Sequence, residues 1–141
     1  MSNQNNIDEK LLALIFLCLD HGIDSIRDIE GPLIPYSITE NDGKRNLDRF
    51  LSDRVEDGVA AAKTSIKNLD PIPEFAAITY DGYVTVENEK YDAVIVEGYD
   101  RKDLDGHIFA QRYIPVRNGT AFQTPGNTIY LGVTENIMKE K

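Results

Sequence analysis

Residues 73–115 constrain the fold more strongly than any other part of this chain. Short runs of aliphatic, aromatic and β-branched residues alternate there with turn signals, a pattern typical of an antiparallel sheet. We expect strands at 75–80, 84–86, 91–97 and 108–114. Asp81-Gly82 is expected to form the first hairpin turn, because this dipeptide tolerates the positive φ angles of a tight turn. Further turns are expected at 87–90 and in the charged loop 100–106, with a closing strand at 128–133.

The N-terminal part begins with a helix that we expect at residues 7–19. Asn6 is positioned to cap it, and Gly22 is expected to stop it. Nine consecutive apolar residues at 11–19 make this helix apolar on nearly all sides, so more than one side must be covered. Two explanations stay open: it is the central helix of the domain, or one of its faces meets a second copy of the chain.

A second, amphipathic helix is expected at residues 44–69, because apolar residues recur there at helical spacing. Between the helices, residues 33–38 are expected to form a short edge strand, since prolines flank and interrupt it. The predicted fold is thus a single α+β domain over residues 1–141. Two N-terminal helices pack on one face of a C-terminal antiparallel sheet of four to five strands. Residues 1–6 and 138–141 are expected to fray.

Charge and cysteine content exclude several classes of function. The formal net charge of −9 opposes binding to a phosphate backbone, so we expect no nucleic-acid partner. The acidity fits either a solvated surface or docking onto a basic protein. The lone Cys18 rules out an intramolecular disulfide and favours a reducing compartment, the cytoplasm. The apolar run at 11–19 is too short for a membrane span and has no basic leader, so we expect no membrane association.

Polar residues in the last two expected strands are the candidate site. Gln111 and Arg112 occupy the middle of a strand, where an antiparallel sheet favours Val or Thr. Glu97 is expected at an inner position of the neighbouring strand. A half-buried Glu97–Arg112 pair is normally structural, but the guanidinium fork also suits a ligand carboxylate or phosphate. His107 is a candidate acid–base partner for Glu97, although we favour a plain strand start at the solvent edge.

Cofactor and metal templates fail. The loop 100–107 resembles a calcium loop, but aligning it to an EF-hand puts Arg101 and Arg112 where carboxylates are required. A zinc site needs at least three good ligands, and the loop offers one histidine among acids. The sequence has no phosphate-binding glycine loop and no nucleophile elbow. We therefore expect no cofactor and no metal, and we favour a non-catalytic protein over an enzyme.

Five segments resemble a group of small uncharacterised bacterial proteins of similar length. They are RF at 49–50, DRVEDG at 53–58, AITYDGYVTV at 77–86, DAVIVE at 92–97 and FAQRY at 109–113. The resemblance implies a bacterial origin and a single domain, and it implies no catalytic residue. The loop 100–107 is longer and more charged than that group leads us to expect.

Three functional hypotheses follow. The first is an acidic intracellular accessory protein that binds a protein partner, or itself as a homodimer through the first helix. The second is a small-ligand-binding protein or enzyme whose site is Glu97, Gln111, Arg112 and His107; it requires a pocket where these side chains converge. The third is an immunity or anti-defence protein, a class for which gene neighbourhood is the test.

Overall fold

The computed structural model of the protein describes residues 7–27, 33–116 and 121–138. These residues form two helices and one six-stranded antiparallel sheet. The elements in chain order are α1 (Glu9–Arg27), β1 (Tyr36–Asn41), β2 (Lys44–Arg49), α2 (Val55–Lys67), β3 (Phe75–Val86), β4 (Glu89–Asp100), β5 (Asp105–Tyr113) and β6 (Ile129–Glu135). Across the sheet the strands lie in the order β2-β1-β3-β4-β5-β6. The α+β class is confirmed, but the sheet has six strands where four or five were expected.

The two helices lie on opposite faces of the sheet. Successive side chains of a strand point to opposite faces, and the two buried clusters follow this alternation. Ala77 and Val94 pack with α1, whereas Ala76 and Tyr99 pack with α2. We call these sides the α1 face and the α2 face. The expectation that both helices cover one face is therefore wrong.

Helix α1 continues well past its expected end at residue 19. Asp8 precedes it, and the Asp8 carboxylate accepts the backbone N–H of Lys10 at 2.8 Å, which satisfies one free donor of the first turn. The expected cap, Asn6, lies outside the described residues. Gly22 does not stop the helix: a Cβ at Gly22 would lie 2.8 Å from Cγ1 of Val94 and 3.3 Å from Cγ2 of Thr79. The glycine therefore permits a close approach between helix and sheet.

Neither helix in the described ranges combines the length and the apolar character that a membrane crossing requires. Helix α1 buries one side against the sheet, including Cys18, which is fully buried. Phe16 and Leu17 on its outer side stay 43% and 41% exposed. The structure thus covers one apolar side of α1 and leaves part of the other open.

The helix expected at residues 44–69 exists only in its second half, as α2. Asp42 and Gly43 adopt positive φ angles of 49° and 77°, which fit a tight two-residue hairpin turn. This turn joins β1 to β2, with Asn41 opposite Lys44 and Tyr36 opposite Arg49. The local turn chemistry therefore prevails over the helical spacing of apolar residues, and 44–49 form a strand.

Strand β1 is an inner strand, contrary to the expected edge strand at 33–38. It pairs with β2 on one side and β3 on the other. Its first residue, Tyr36, is 2% exposed and donates its hydroxyl hydrogen to the backbone carbonyl of Cys18 at 2.7 Å. The edge is instead β2, whose side chains are mostly exposed and charged, a common protection against edge-to-edge pairing.

Asp81-Gly82 is not a turn but lies in the middle of the long strand β3. The β3–β4 turn falls at Glu87 and Asn88, whose φ angles are 51° and 66°. Gly82 stands opposite Ala93, and a Cβ on it would lie 2.6 Å from Cδ1 of Ile95. The glycine is thus needed for packing within the strand, which explains a turn-like dipeptide in a regular ladder.

The C-terminal part agrees more closely with expectation. The loop between β4 and β5 is short, at residues 101–104, and β6 is the expected closing strand. Met138, which was expected to fray, is 3% exposed and packs in the cluster with α2. The rest of the predicted frayed ends, 1–6 and 139–141, lies outside the described residues.

Replacing Gly22 with alanine should lower the free energy of unfolding. In an open helix the change stabilises by about 1 kcal/mol. Here the new methyl group meets Val94, a stiff β-branched side chain, and overpacking of this kind costs about 1–3 kcal/mol. We expect a lower urea midpoint for Gly22→Ala and little change for Asp20→Ala, an exposed position on the same helix. A Gly22→Ala chain more stable than the original would contradict the close packing.

Candidate functional site

The strand register separates the residues that were expected to form one site. Glu97 stands opposite Ile108, whereas Arg112 stands opposite Ala93. The two side chains share the α2 face but lie four residues apart along it, roughly 13 Å at the rise of a strand. The predicted Glu97–Arg112 tie is therefore not formed.

Gln111 and His107 lie on the other side of the sheet, the α1 face. Gln111 stands opposite Val94, and His107 opposite Gly98. The Gln111 side chain donates to the carbonyl of Arg112 at 3.1 Å and accepts from the Thr128 hydroxyl at 3.3 Å. The four predicted residues thus do not converge, because consecutive residues of β5 point to opposite faces.

Arg112 packs between two neighbours on the α2 face. Its guanidinium carbon lies 4.9 Å from the centre of the Tyr91 ring, a cation–π distance. A Cβ at Gly126 would lie 1.8 Å from Nη2 of Arg112, so a larger residue there would require the guanidinium to shift. Within the described residues, the buried Nε of Arg112 has no hydrogen-bond partner. The Arg112 side chain therefore lies between Tyr91 of β4 and Gly126, in the segment that follows β5.

His107 is fully buried, contrary to the expected place at the solvent edge. Its Nε2 lies 3.1 Å from Oδ2 of Asp103, and its Nδ1 lies 2.9 Å from the hydroxyl oxygen of Tyr130. A carboxylate only accepts, so in a neutral ring Nε2 carries the hydrogen and Nδ1 accepts from Tyr130. The imidazole thereby ties the loop 101–104 to β6.

The same loop is held by further hydrogen bonds that use its acidic side chains. Asp100 accepts the N–H of Lys102 at 2.9 Å, and Asp103 accepts the N–H of Leu104 at 2.8 Å. Asn136 donates to the backbone carbonyls of both aspartates. In the described ranges, no group of three or more His, Cys, Asp or Glu residues is arranged to hold a metal ion.

Glu97, one of the predicted site residues, lies at a concave surface. It is 4% exposed, and two phenols donate to its carboxylate: Tyr80 to Oε2 at 2.5 Å and Tyr99 to Oε1 at 2.6 Å. The Lys63 ammonium lies 3.3 Å from Oε1. Two hydrogen bonds and an ion pair thus compensate a carboxylate that is otherwise costly to bury.

The three partners of Glu97 come from three different elements. Tyr80 is a diagonal neighbour on β3, since Ile78 stands directly opposite Glu97. Tyr99 follows two residues later on β4, on the same face. Lys63 reaches over from α2 with its side chain 36% exposed. The carboxylate and phenols are therefore held by the sheet, while the ammonium sits on a longer, more mobile stem.

A pocket of about 420 Å³ opens between α2 and the sheet, beside the cluster of Glu97, Tyr80, Tyr99 and Lys63. We call it the Glu97 pocket; its lining residues are Val55, Glu56, Val59, Ala60, Lys63, Tyr80, Asp81 and Glu97. One wall consists of apolar side chains of α2, and Glu97, Tyr80 and Lys63 form the polar end. Its volume is in the range of small-molecule sites.

Asp81 lines the pocket, but its carboxylate accepts its hydrogen bonds on the α1 face of the sheet. It accepts the Tyr113 hydroxyl at 2.8 Å and the N–H of Leu33 at 3.3 Å. Burial raises the pKa of the Asp81 carboxyl, and these two hydrogen bonds oppose the shift. Glu56 at the rim is paired with Arg54 at 2.6 Å, and both side chains are largely exposed. Glu97 is therefore the fixed buried charge of the pocket.

Sequence reasoning did not find Tyr80, Tyr99 or Lys63 as site residues. Tyr80 was placed at the end of a strand, beside the expected turn, and Lys63 in the amphipathic helix. The spacing of Glu97 and Tyr99 was the available signal, because residues two apart in a strand share a face. Identifying Lys63 as the third partner requires knowledge of how α2 packs on the sheet.

No family model, curated protein or solved structure matches the chain.

The phenols of the cluster should make stability depend on alkaline pH. Burial and the neighbouring Glu97 raise the pKa values of Tyr80 and Tyr99 above the ordinary value of 10.0. The folded chain therefore holds these protons more tightly than the unfolded chain. Their contribution to stability is complete below about pH 10 and is lost as the pH rises toward the folded-state pKa values.

We expect the urea midpoint to fall above about pH 10, and to fall less steeply in Tyr99→Phe. Tyr83→Phe is the matched control, because the Tyr83 side chain is exposed. Equal pH slopes for the original chain and Tyr99→Phe would contradict the assignment.

Proposed function

We propose that this protein binds a small amphipathic molecule in the Glu97 pocket. The observation that carries the proposal is a buried carboxylate, donated to by two phenols, at the floor of a concave site of about 420 Å³. Apolar walls with a few fixed polar groups are the usual composition of small-molecule sites. Val55, Val59 and Ala60 supply the wall, and Glu97 with its phenols supplies the polar end.

This site modifies the ligand-binding hypothesis drawn from the sequence. Glu97 remains in it, while Gln111, Arg112 and His107 are replaced by Tyr80, Tyr99 and Lys63. The proposed activity is binding, since hydrogen-bond donors and an ammonium already occupy the Glu97 carboxylate. We place the protein in the cytoplasm, in keeping with the buried, unpaired thiol of Cys18.

Filling the pocket mouth should abolish ligand binding without unfolding the protein. Ala60 is exposed and lines the pocket, so Ala60→Phe places a ring in the mouth. Ala61→Phe is the matched control, because Ala61 is also exposed on α2 and does not line the pocket. Ligand-observed NMR against a library of small amphipathic fragments measures binding. We expect fragments that bind the original chain and Ala61→Phe, and lose binding to Ala60→Phe. An equal loss in both variants, or no binding fragment at all, contradicts the proposal.

A second candidate function is self-association, and the exposed sheet edge at β6 favours it. Across the described residues, β6 is a terminal strand of the sheet, and Leu131 and Val133 on it are 46% and 49% exposed. The sequence of β6 contains one charged residue, Glu135. The opposite edge, β2, contains four charged residues, which protect it against pairing.

A second copy of the chain is the partner that we propose for this edge. Two acidic copies repel each other least where a surface carries few charges, and β6 is such a surface. A two-fold pairing of the β6 edges would bring the exposed Leu131 and Val133 of the two copies together. The exposed Phe16 of α1 packs on Phe109 at 6.1 Å, and Phe109 stands opposite Tyr130 of β6. The first helix, expected from sequence as the dimer surface, would therefore flank the pairing.

Charge placed on β6 should prevent the dimer. We expect sedimentation velocity to show a concentration-dependent dimer for the original chain and the 15.9 kDa monomer for Leu131→Lys. Asn46→Lys, on the other edge of the sheet, is the matched control and should leave the dimer intact. A monomer at all concentrations for the original chain would exclude self-association.

A further inference from the structure

The pairing of Glu97 with Lys63 indicates which class of ligand the pocket takes. The two charges differ in how firmly they are held. The Glu97 carboxylate is almost fully buried and fixed by two phenols on rigid strands, whereas the Lys63 side chain is 36% exposed. A lysine stem has four rotatable carbons, so the ammonium can turn into water when another cation takes its place at Glu97. The anion is therefore the permanent feature of the site, and the cation is exchangeable.

Resting on the proposed function, we propose that the ligand is a small primary amine with a compact apolar body, and that its ammonium displaces that of Lys63 from Glu97. The exchange conserves the charge of the site, since one ammonium replaces another at the same carboxylate. It also avoids leaving Glu97 buried and unpaired, which binding of an anion at Lys63 would do. The apolar wall of Val55, Val59 and Ala60 then contacts the body of the amine.

The basic groups around the pocket also favour a cationic ligand. Among the described residues that line the pocket, Lys63 is the one that is basic, and its ammonium is already paired with Glu97. Arg54 beside the rim is likewise paired, with Glu56. A ligand carboxylate or phosphate would compete with Glu97 for Lys63. An amine meets favourable charge and needs only that Lys63 move.

Three probes that share a phenylethyl group test the ligand class: 2-phenylethylamine, the neutral 2-phenylethanol and the anionic 3-phenylpropanoate. NMR titration of the full chain measures each dissociation constant. We expect the amine to bind roughly tenfold more tightly than the alcohol, because its contact with Glu97 is a charge-assisted hydrogen bond. The anion is expected to bind more weakly than either.

Substitutions in the Glu97–Lys63 ion pair provide a second test of the proposal. Lys63→Met removes the competing ammonium and keeps the length of the side chain, so we expect the amine to bind several-fold more tightly, roughly three- to tenfold. If the ligand were an anion, the same change would abolish binding. Glu97→Gln should erase the preference for the amine over the alcohol. Circular dichroism verifies that each variant is folded. If Glu97→Gln does not fold, the sign of the change in affinity caused by Lys63→Met still distinguishes an amine ligand from an anion.

The outcomes separate this inference from the proposed function. Equal affinity for amine and alcohol, or weaker amine binding by Lys63→Met, overturns the amine assignment. If Ala60→Phe still blocks the bound probe, the pocket itself stands. Absence of binding for all three probes, to the original chain and to Lys63→Met, overturns the amine assignment as well. The fragment library then decides separately whether the pocket binds any ligand.

Discussion

The antiparallel pairing of β3 with β4 is the constraint on which the rest of the structure depends. The turn at Glu87 and Asn88 sets Val86 opposite Glu89, and the ladder continues without interruption to Phe75 opposite Asp100. Side chains alternate between the two faces with a period of two, so a shift of one residue would reverse every face. Glu97 would then point toward α1, away from Tyr80 and Lys63. The register is therefore what brings the carboxylate, Tyr80 and α2 together.

The strands with clear β-branched and aromatic patterns were predicted from the sequence. Those that contain turn-like or helix-like local signals were missed. Residues 91–97, 108–114 and 128–133 have β-branched and aromatic patterns, and each lies within or beside an observed strand. Asp81-Gly82 misled the prediction because its turn preference is local, whereas the requirement that Gly82 leave room for Ile95 is set by packing. The same reason explains Gly22, which looks like a helix stop and serves the contact with Val94. In both cases a glycine that permits close packing against a neighbouring side chain looks, in the sequence, like a residue that ends a helix or a strand.

The candidate site was less predictable than the fold, and the reason is geometric. Glu97 stood out as a charge at an inner strand position, which the structure bears out by its burial. Its partners depend on which residue faces it across the sheet and on which side of the sheet α2 packs. Neither is encoded in the spacing of residues along one strand. Gln111 and Arg112 were grouped because they are adjacent in sequence, yet adjacency in a strand guarantees opposite faces.

The energetics of Glu97 explain why its surroundings suggest a function. Removing a carboxylate from water costs several kcal/mol, and hydrogen bonds with an ion pair at best offset that cost. Apolar residues of similar volume at Glu97, Tyr80 and Tyr99 would often serve stability equally well. The sheet nevertheless holds the three together beside an open pocket, and the countercharge comes from Lys63, which water reaches. A fixed anion under a movable cation is the arrangement that exchange of one cation for another requires.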